Sequence, residues 1–123
     1  MKLMVVDDHD VMRKIICELL ARPGVEIREC VTGEQAMQSA RAFQPDWIIM
    51  DVNLPGVTGF AATEIIRTEI PSVRVVIVSA GDRNYLREQA LTSGAEHFLA
   101  KHNLVELPQM VYGDEEPPQP PVA

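Results

Sequence analysis

The sequence predicts an α/β fold: a doubly wound parallel sheet of five strands, in the order 2-1-3-4-5, with helices on both faces. Three observations predict it. Short apolar runs alternate along the chain with longer segments of helical period, the signature of repeated strand–helix–strand units. Two of these runs, Leu3-Met4-Val5-Val6 and Trp47-Ile48-Ile49-Met50, show no polar alternation, so both their faces are covered and they belong at the middle of the sheet. An ionisable or hydroxyl group stands at the carboxyl end of four separate runs: Asp7 with Asp8, Asp51, Ser79, and Lys101.

Each element follows in order. The first strand spans about residues 2–7, and the first helix about 10–22. That helix carries Val11, Ile15, Ile16, Leu19 and Leu20 on one stripe, with Arg13, Lys14 and Glu18 away from it. Asp10 is expected to cap it, His9 to be an exposed loop or first-turn residue, and Pro23-Gly24 to stop it. The second strand, about 26–30, ends on Cys30. Thr32 is the expected N-cap of a second helix at about 33–43, with Gln35 as capping-box partner, and Pro45 ends that helix. The third strand is about 46–51; the turn Val52-Asn53-Leu54-Pro55-Gly56 leads to a third helix at about 58–70. The fourth strand, about 74–79, lies in a run from Val73 to Val78 broken only by Arg74. A fourth helix at about 83–93, a fifth strand at about 96–100 and a fifth helix at about 104–112 complete the domain, residues 1–112. Pro108 makes that last helix short or late-starting. Right-handed crossovers between these strands put helices on both faces. Residues 113–123, acidic and proline-rich, read as a tail or linker.

Composition narrows the function. A chain of 123 residues with 46% apolar content suits one domain around a single core. Its net charge of -7, from 18 acidic and 11 basic residues, supplies no phosphate-neutralising face, so direct nucleic-acid binding is not expected. Acidity suits cation binding instead. Cys17 and Cys30 read as small core hydrophobes rather than a disulfide framework, and the methionines as core filler. No apolar run approaches the roughly 18–20 residues that span a bilayer, and no signal-peptide pattern opens the chain. A cytoplasmic setting without membrane insertion is the expectation.

The strand-end groups carry the chemistry. Carboxyl ends of parallel strands are where open α/β sheets bind ligands. A carboxylate such as Asp51 can attack phosphorus and form an aspartyl phosphate, with positioning and charge neutralisation lowering the barrier. Asp7 and Asp8 at the adjacent strand end would crowd it with like charge. Two such charges about 4 Å apart repel by roughly 4 kcal/mol at an effective dielectric of 20. A hard divalent cation relieves that repulsion, and Mg²⁺ suits a few carboxylates plus phosphate oxygens, with the backbone carbonyl of Asn53 as a further ligand. Lys101 offers a point charge and Ser79 a hydroxyl to the phosphoryl oxygens. Gly56 and Gly59 let the adjoining loop turn tightly. Each residue alone is a common turn or surface residue; their joint placement is the signal.

Over about residues 1–107 the chain resembles a response-regulator receiver domain of two-component signalling, with its flavodoxin-like fold. The resemblance rests on Asp7-Asp8, on Asp51 with Leu54-Pro55-Gly56-Val57-Thr58-Gly59, on Ser79-Ala80, and on Gly94-Ala95-Glu96-His97-Phe98-Leu99-Ala100-Lys101. It implies that Asp51 is the phosphoacceptor, that Asp7 and Asp8 serve Mg²⁺, and that Lys101 pairs with the phosphoryl group. Ser79 takes the switch-hydroxyl position and Phe98 the switch-aromatic position. The implied donor is a phosphohistidine on a histidine kinase or histidine phosphotransfer protein. The implied output is a downstream protein or an output domain outside this chain, of the class that follows such domains with a helix-turn-helix. The domain would be a signalling switch that catalyses its own phosphorylation and dephosphorylation, not a metabolic enzyme.

A phosphoryl group adds about -1.5 to -2 charge, which Ser79 and Lys101 can follow. Ser79 moving inward leaves room for Phe98 to turn inward, biasing two packings of the fourth helix and fifth strand. A nearly complete switch of this kind needs about 5.5 kcal/mol of differential stabilisation. Three features depart from the family pattern. His102 follows Lys101 where many receivers have proline, so the usual cis bond is not expected there. Pro108 shortens the fifth helix, part of the face receivers commonly use for partners or dimers. Gly81 stands where a bulkier side chain would shield the phosphate, and Asn53 can order an attacking water, so the phosphoryl group is not expected to be long-lived. Two rivals remain in view. An aspartyl-nucleophile phosphatase is opposed by Asn53, which stands where the second acid of Asp-x-Asp would be. A phosphorylation-independent pseudo-receiver is opposed by the complete set of acids and Lys101.

Overall fold

The computed structural model describes residues 1–81 and 83–113. Five strands, β1 (Lys2–Val6), β2 (Glu26–Cys30), β3 (Trp47–Asp51), β4 (Arg74–Ser79) and β5 (His97–Ala100), form one sheet in the order β2-β1-β3-β4-β5. All four pairings are parallel. The helices are α1 (Asp10–Leu20), α2 (Gly33–Phe43), α3 (Gly59–Glu69), α4 (Asn84–Thr92) and α5 (Leu107–Tyr112). The predicted fold class and strand order are those observed.

Alternation along the central strands divides the core into two layers. Met4, Val6, Ile48, Met50, Val75 and Ile77 face the layer that holds Ala36, Ala40, Ala62 and Ile66 of α2 and α3. Leu3, Val5, Trp47, Ile49, Val76 and Val78 face the layer of Ile16, Leu20, Leu107 and Val111 from α1 and α5. Each large apolar side chain buried this way contributes about 1.5–3 kcal/mol before entropy is counted. The registers place the strand ends together: Val6 lies opposite Cys30 and Met50, and Asp51 opposite Val78.

Helix boundaries follow local chemistry. Thr32 Oγ1 accepts the Gln35 N–H at 3.1 Å, as predicted, but Gln35 Oε1 returns to the N–H of Val31 rather than that of Thr32. Thr58 Oγ1 accepts the Ala61 N–H at 3.2 Å and caps α3 in the same way. Gln44 closes α2 in a left-handed conformation (φ 52°), and Pro45 follows.

Three expectations are corrected. Asp10 is not the cap of α1: His9 occupies that position, without a side-chain cap bond, and Asp10 opens the helix. There its carboxylate meets the helix dipole favourably and pairs with Arg13 at 2.8 Å. The apolar stripe of α1 is also rotated from the predicted one. Val11 and Ile15 are 74% and 42% exposed, whereas Met12 joins Ile16, Leu19 and Leu20 against the core. The fifth helix begins at Leu107, not near 104; a 3₁₀ segment, Lys101–Glu106, precedes it. Pro108 sits in its first turn, where a missing N–H breaks no helical bond. Tyr112 ties this helix to α1 by donating its hydroxyl to the Leu20 carbonyl at 2.7 Å.

Other expectations hold or fall outside the described residues. Cys30 is buried and Cys17 half-buried, both as free thiols. Burial pushes the Cys17 thiol up to about 11, which keeps it unreactive. No cis peptide bond occurs among the described residues. The tail assigned to residues 113–123 lies, apart from Gly113, outside them.

Candidate functional site

The carboxyl ends of β1, β3, β4 and β5 converge because the strands are parallel and in register. Asp51 is the last residue of β3 and is 3% exposed. Asp7 follows β1 and is 1% exposed, while Asp8 beside it is more open. Lys101 follows β5, and its Nζ lies 3.3 Å from Asp7 Oδ2 and 3.4 Å from Asp51 Oδ1. One ammonium thus stands between two buried carboxylates.

That cation does not satisfy them. Asp51 Oδ2 is buried without a hydrogen-bond partner, and Asp7 Oδ2 has only the Lys101 ammonium 3.3 Å away, in no formal hydrogen bond. Burial holds the Asp51 carboxyl above its ordinary value, and the Asp7 charge adds to the rise; Lys101 and the Asn53 backbone N–H oppose it. The donor atoms of Asp7, Asp8, His9 and Asp51 all lie within 4.8 Å of one another, a spacing that could hold a metal ion. Buried, unpartnered carboxylate oxygens beside an open face fit a hard divalent cation such as Mg²⁺.

The loop after β3 is shaped by close approach. Gly59 N–H donates to the Val52 carbonyl at 3.0 Å, and a β-carbon at Gly59 would collide with the Asp51 carbonyl oxygen. Gly56 adopts φ 76°, which favours glycine, and faces the Glu34 carboxylate. Asn53 is exposed in this turn, two residues beyond Asp51.

Ser79 ends β4 and is 2% exposed; its Oγ accepts the Gly81 N–H at 3.1 Å, so the hydroxyl oxygen is engaged with its own loop. Phe98 on β5 is 5% exposed and already packed in the α2–α3 layer, with the Arg87 guanidinium 5.1 Å from its ring centroid.

Sequence reasoning missed Arg13. Assigned to a solvent face, its side chain is only 15% exposed. It donates to the Asp7 carbonyl, to Asp10 Oδ1 and to Glu29 Oε1 at 2.8–2.9 Å, and so braces the acidic loop against α1 and β2. Only the Asp10 pair, three residues away on one helix, was a visible signal. His9, expected as an exposed loop or first-turn residue, is 68% exposed, and its Nδ1 lies 3.3 Å from both Asp7 Oδ1 and Asp8 Oδ1.

A parallel five-stranded sheet with three acids and a lysine at its carboxyl edge defines a phosphoryl-accepting switch domain of the doubly wound class. The comparisons agree, and the chain belongs to the response regulator receiver domain family, whose model matches residues 3–112. Among relatives, it is 36% identical over 103 residues to the transcriptional activator protein ExaE of Pseudomonas putida, covering 82% of this chain and 48% of that protein. It is 32% identical over 102 residues to the DNA-binding transcriptional activator EvgA of Escherichia coli strain K12, covering 82% and 50%. The chain therefore spans about half the length of the curated relatives it matches. Among solved structures, a LuxR-family two-component response regulator from Aurantimonas sp. SI85-9A1 superposes with a TM-score of 0.85 at 29% identity, covering 92% of this chain and 83% of the other. The signal receiver domain of NarL from Mycobacterium tuberculosis gives 0.82 at 28% identity, covering 92% and 94%. The protein is thus a receiver domain of two-component signalling, a family whose general role is to accept a phosphoryl group and act as a switch. No described helix is long and apolar enough to cross a membrane.

Proposed function

We propose that Asp51 is the phosphoacceptor of this domain, working with Mg²⁺ held by Asp7, Asp8, Asp51 and the Asn53 backbone carbonyl. The observation that carries this reading is the buried Asp51 carboxylate, with one oxygen unpartnered and the other 3.4 Å from Lys101. When bound, the ion would neutralise charge on the carboxylates and on the phosphoryl oxygens. An Asp51 oxygen attacks the phosphorus of a phosphohistidine, the P–N bond breaks, and the leaving imidazole takes a proton. Lys101, held between Asp7 and Asp51, pairs with a phosphoryl oxygen. Ser79 leaves the Gly81 N–H and donates its hydroxyl to another oxygen. Hydrolysis reverses the modification, with Asn53 ordering water and Gly81 leaving the site open, so the domain catalyses both its phosphorylation and its dephosphorylation.

The donor on this reading is a histidine kinase or histidine phosphotransfer protein in the cytoplasm. Exposed Val11 and Ile15, on the helix that directly follows the acidic pair, offer it an apolar surface. Residues 1–112 act as the receiver and residues 113–123 as a linker. The output lies in a downstream protein or in a further domain, where any DNA binding would reside. The test is intact mass after incubation with acetyl phosphate and Mg²⁺. A phosphoryl adduct on the wild type, absent from Asp51→Asn and lost with EDTA, supports the reading. No adduct, together with failure to bind beryllofluoride, would favour a phosphorylation-independent interaction module.

A further inference from the structure

We infer that His9 gives the acidic pocket an imidazole donor, so that the site prefers a late first-row divalent ion to Mg²⁺ more strongly than an all-oxygen site would. The inference rests on the proposed reading of this pocket as a cation site. Backbone bonds hold His9 at the edge of the pocket. Its backbone N–H donates to Asp7 Oδ1 at 2.9 Å, and its carbonyl accepts the Arg13 N–H at 2.9 Å. The His9 backbone is therefore fixed at the head of α1, and its Nδ1 lies 3.3 Å from both Asp7 Oδ1 and Asp8 Oδ1.

The donor geometry suits a shared ion. Donors that share one ion at bond lengths of about 2.0–2.2 Å lie within roughly 4.4 Å of each other. His9 Nδ1, at 3.3 Å from both Asp7 Oδ1 and Asp8 Oδ1, falls well inside that limit. The full set with Asp51 spreads to within 4.8 Å, so a small side-chain adjustment gathers all four. The Asp51 Oδ2 oxygen, buried without a hydrogen-bond partner and not the one paired with Lys101, is the unsatisfied group that an ion in this cluster would meet. At 68% exposure, the imidazole can swing toward an ion at little desolvation cost.

Chemistry then sets the selectivity. Carboxylate and carbonyl oxygens suit Mg²⁺, whereas imidazole favours Ni²⁺, Cu²⁺ and Zn²⁺, along the order in which divalent affinities rise across the first row. One nitrogen donor among oxygens therefore changes which ion wins, more than whether an ion binds.

Isothermal titration of tag-free wild type, His9→Ala and Asp51→Asn with Ni²⁺ and with Mg²⁺ separates the possibilities. The expected result is that His9→Ala lowers the ratio of Ni²⁺ to Mg²⁺ affinity at least tenfold, while Asp51→Asn weakens both ions. Zn²⁺ should also shift the ¹⁵N resonance of His9 Nδ1, a signature that a purely structural role would not produce. An unchanged ratio in His9→Ala, or no Nδ1 shift, overturns the inference. So does Ni²⁺ binding that survives in Asp51→Asn yet is lost in His9→Ala, because the ion then sits elsewhere. If neither ion binds the wild type, the reading of the pocket as a cation site fails first.

Discussion

The two edges of the sheet handle charge in opposite ways. At the amino-terminal edge, Arg74 pairs with Glu96 at 2.5–2.8 Å and lies over the Trp47 ring at 4.2 Å, and Trp47 stacks on His97. Asp46 accepts the Lys2 N–H, and the Lys2 ammonium donates to the Phe43 carbonyl. Charge there is paired and half-exposed, over a buried aromatic floor. At the carboxyl edge, two buried carboxylates share one lysine, and an oxygen of each goes without a hydrogen bond. The first edge is built for stability. The second holds charge in a condition that a cation would relieve. Fold rules do not demand that condition; the phosphoryl chemistry proposed for Asp51 would use it.

The comparison can be broken or sharpened by substitution. Trp47→Ala should have the largest effect on stability, about 3–5 kcal/mol, read as a fall in the denaturation midpoint. Below that midpoint the variant should still take a phosphoryl group; loss of acceptance in the folded variant would mean the edges are not separable. Lys101→Met should leave folding largely intact but slow adduct formation from acetyl phosphate by about 10²–10³-fold, the scale of removing one preorganised charge stabiliser. Gly59→Ala should destabilise by roughly 1–3 kcal/mol, because its β-carbon meets the Asp51 carbonyl and α3 must shift away from the acceptor. Chemical denaturation measures the loss, and beryllofluoride affinity should fall with it. Arg74→Ala should be mildest, about 0.5–1 kcal/mol, since its ion pair with Glu96 is 40% exposed on both sides. Phosphorylation should not change at all in that variant.

Much of this was legible in the sequence, for reasons that differ by residue. The unbroken apolar runs of β1 and β3 announced strands covered on both faces, and strand order followed from them. Asp7, Asp51, Ser79 and Lys101 were legible because a strand end is itself a sequence feature. The face of α1 was not. Five apolar residues span more of the helix surface than the core covers, and the choice fell to Arg13. Its bonds to the Asp7 carbonyl and Glu29 link residues 6 and 16 positions apart, which no local pattern reports. The 3₁₀ segment Lys101–Glu106 was missed because Leu104 and Leu107, three apart, satisfy either helical period. The Arg87 guanidinium over the Phe98 ring was hidden too, since the two belong to different elements.

The most direct test is the stability of wild type and Asp51→Asn at neutral pH, each with and without Mg²⁺. Burial and Asp7 raise the Asp51 carboxyl above its ordinary value of 3.8, so the native state binds this proton more readily than the unfolded chain. Stability should therefore fall as pH rises from that ordinary value through the raised one, with the whole penalty present above it. Removing the charge should raise Tm at neutral pH. Millimolar Mg²⁺ should stabilise the wild type by mass action and the variant much less. An Asp51→Asn protein less stable than wild type, or one stabilised by Mg²⁺ to the same extent, would contradict the account of this edge as uncompensated charge awaiting a cation.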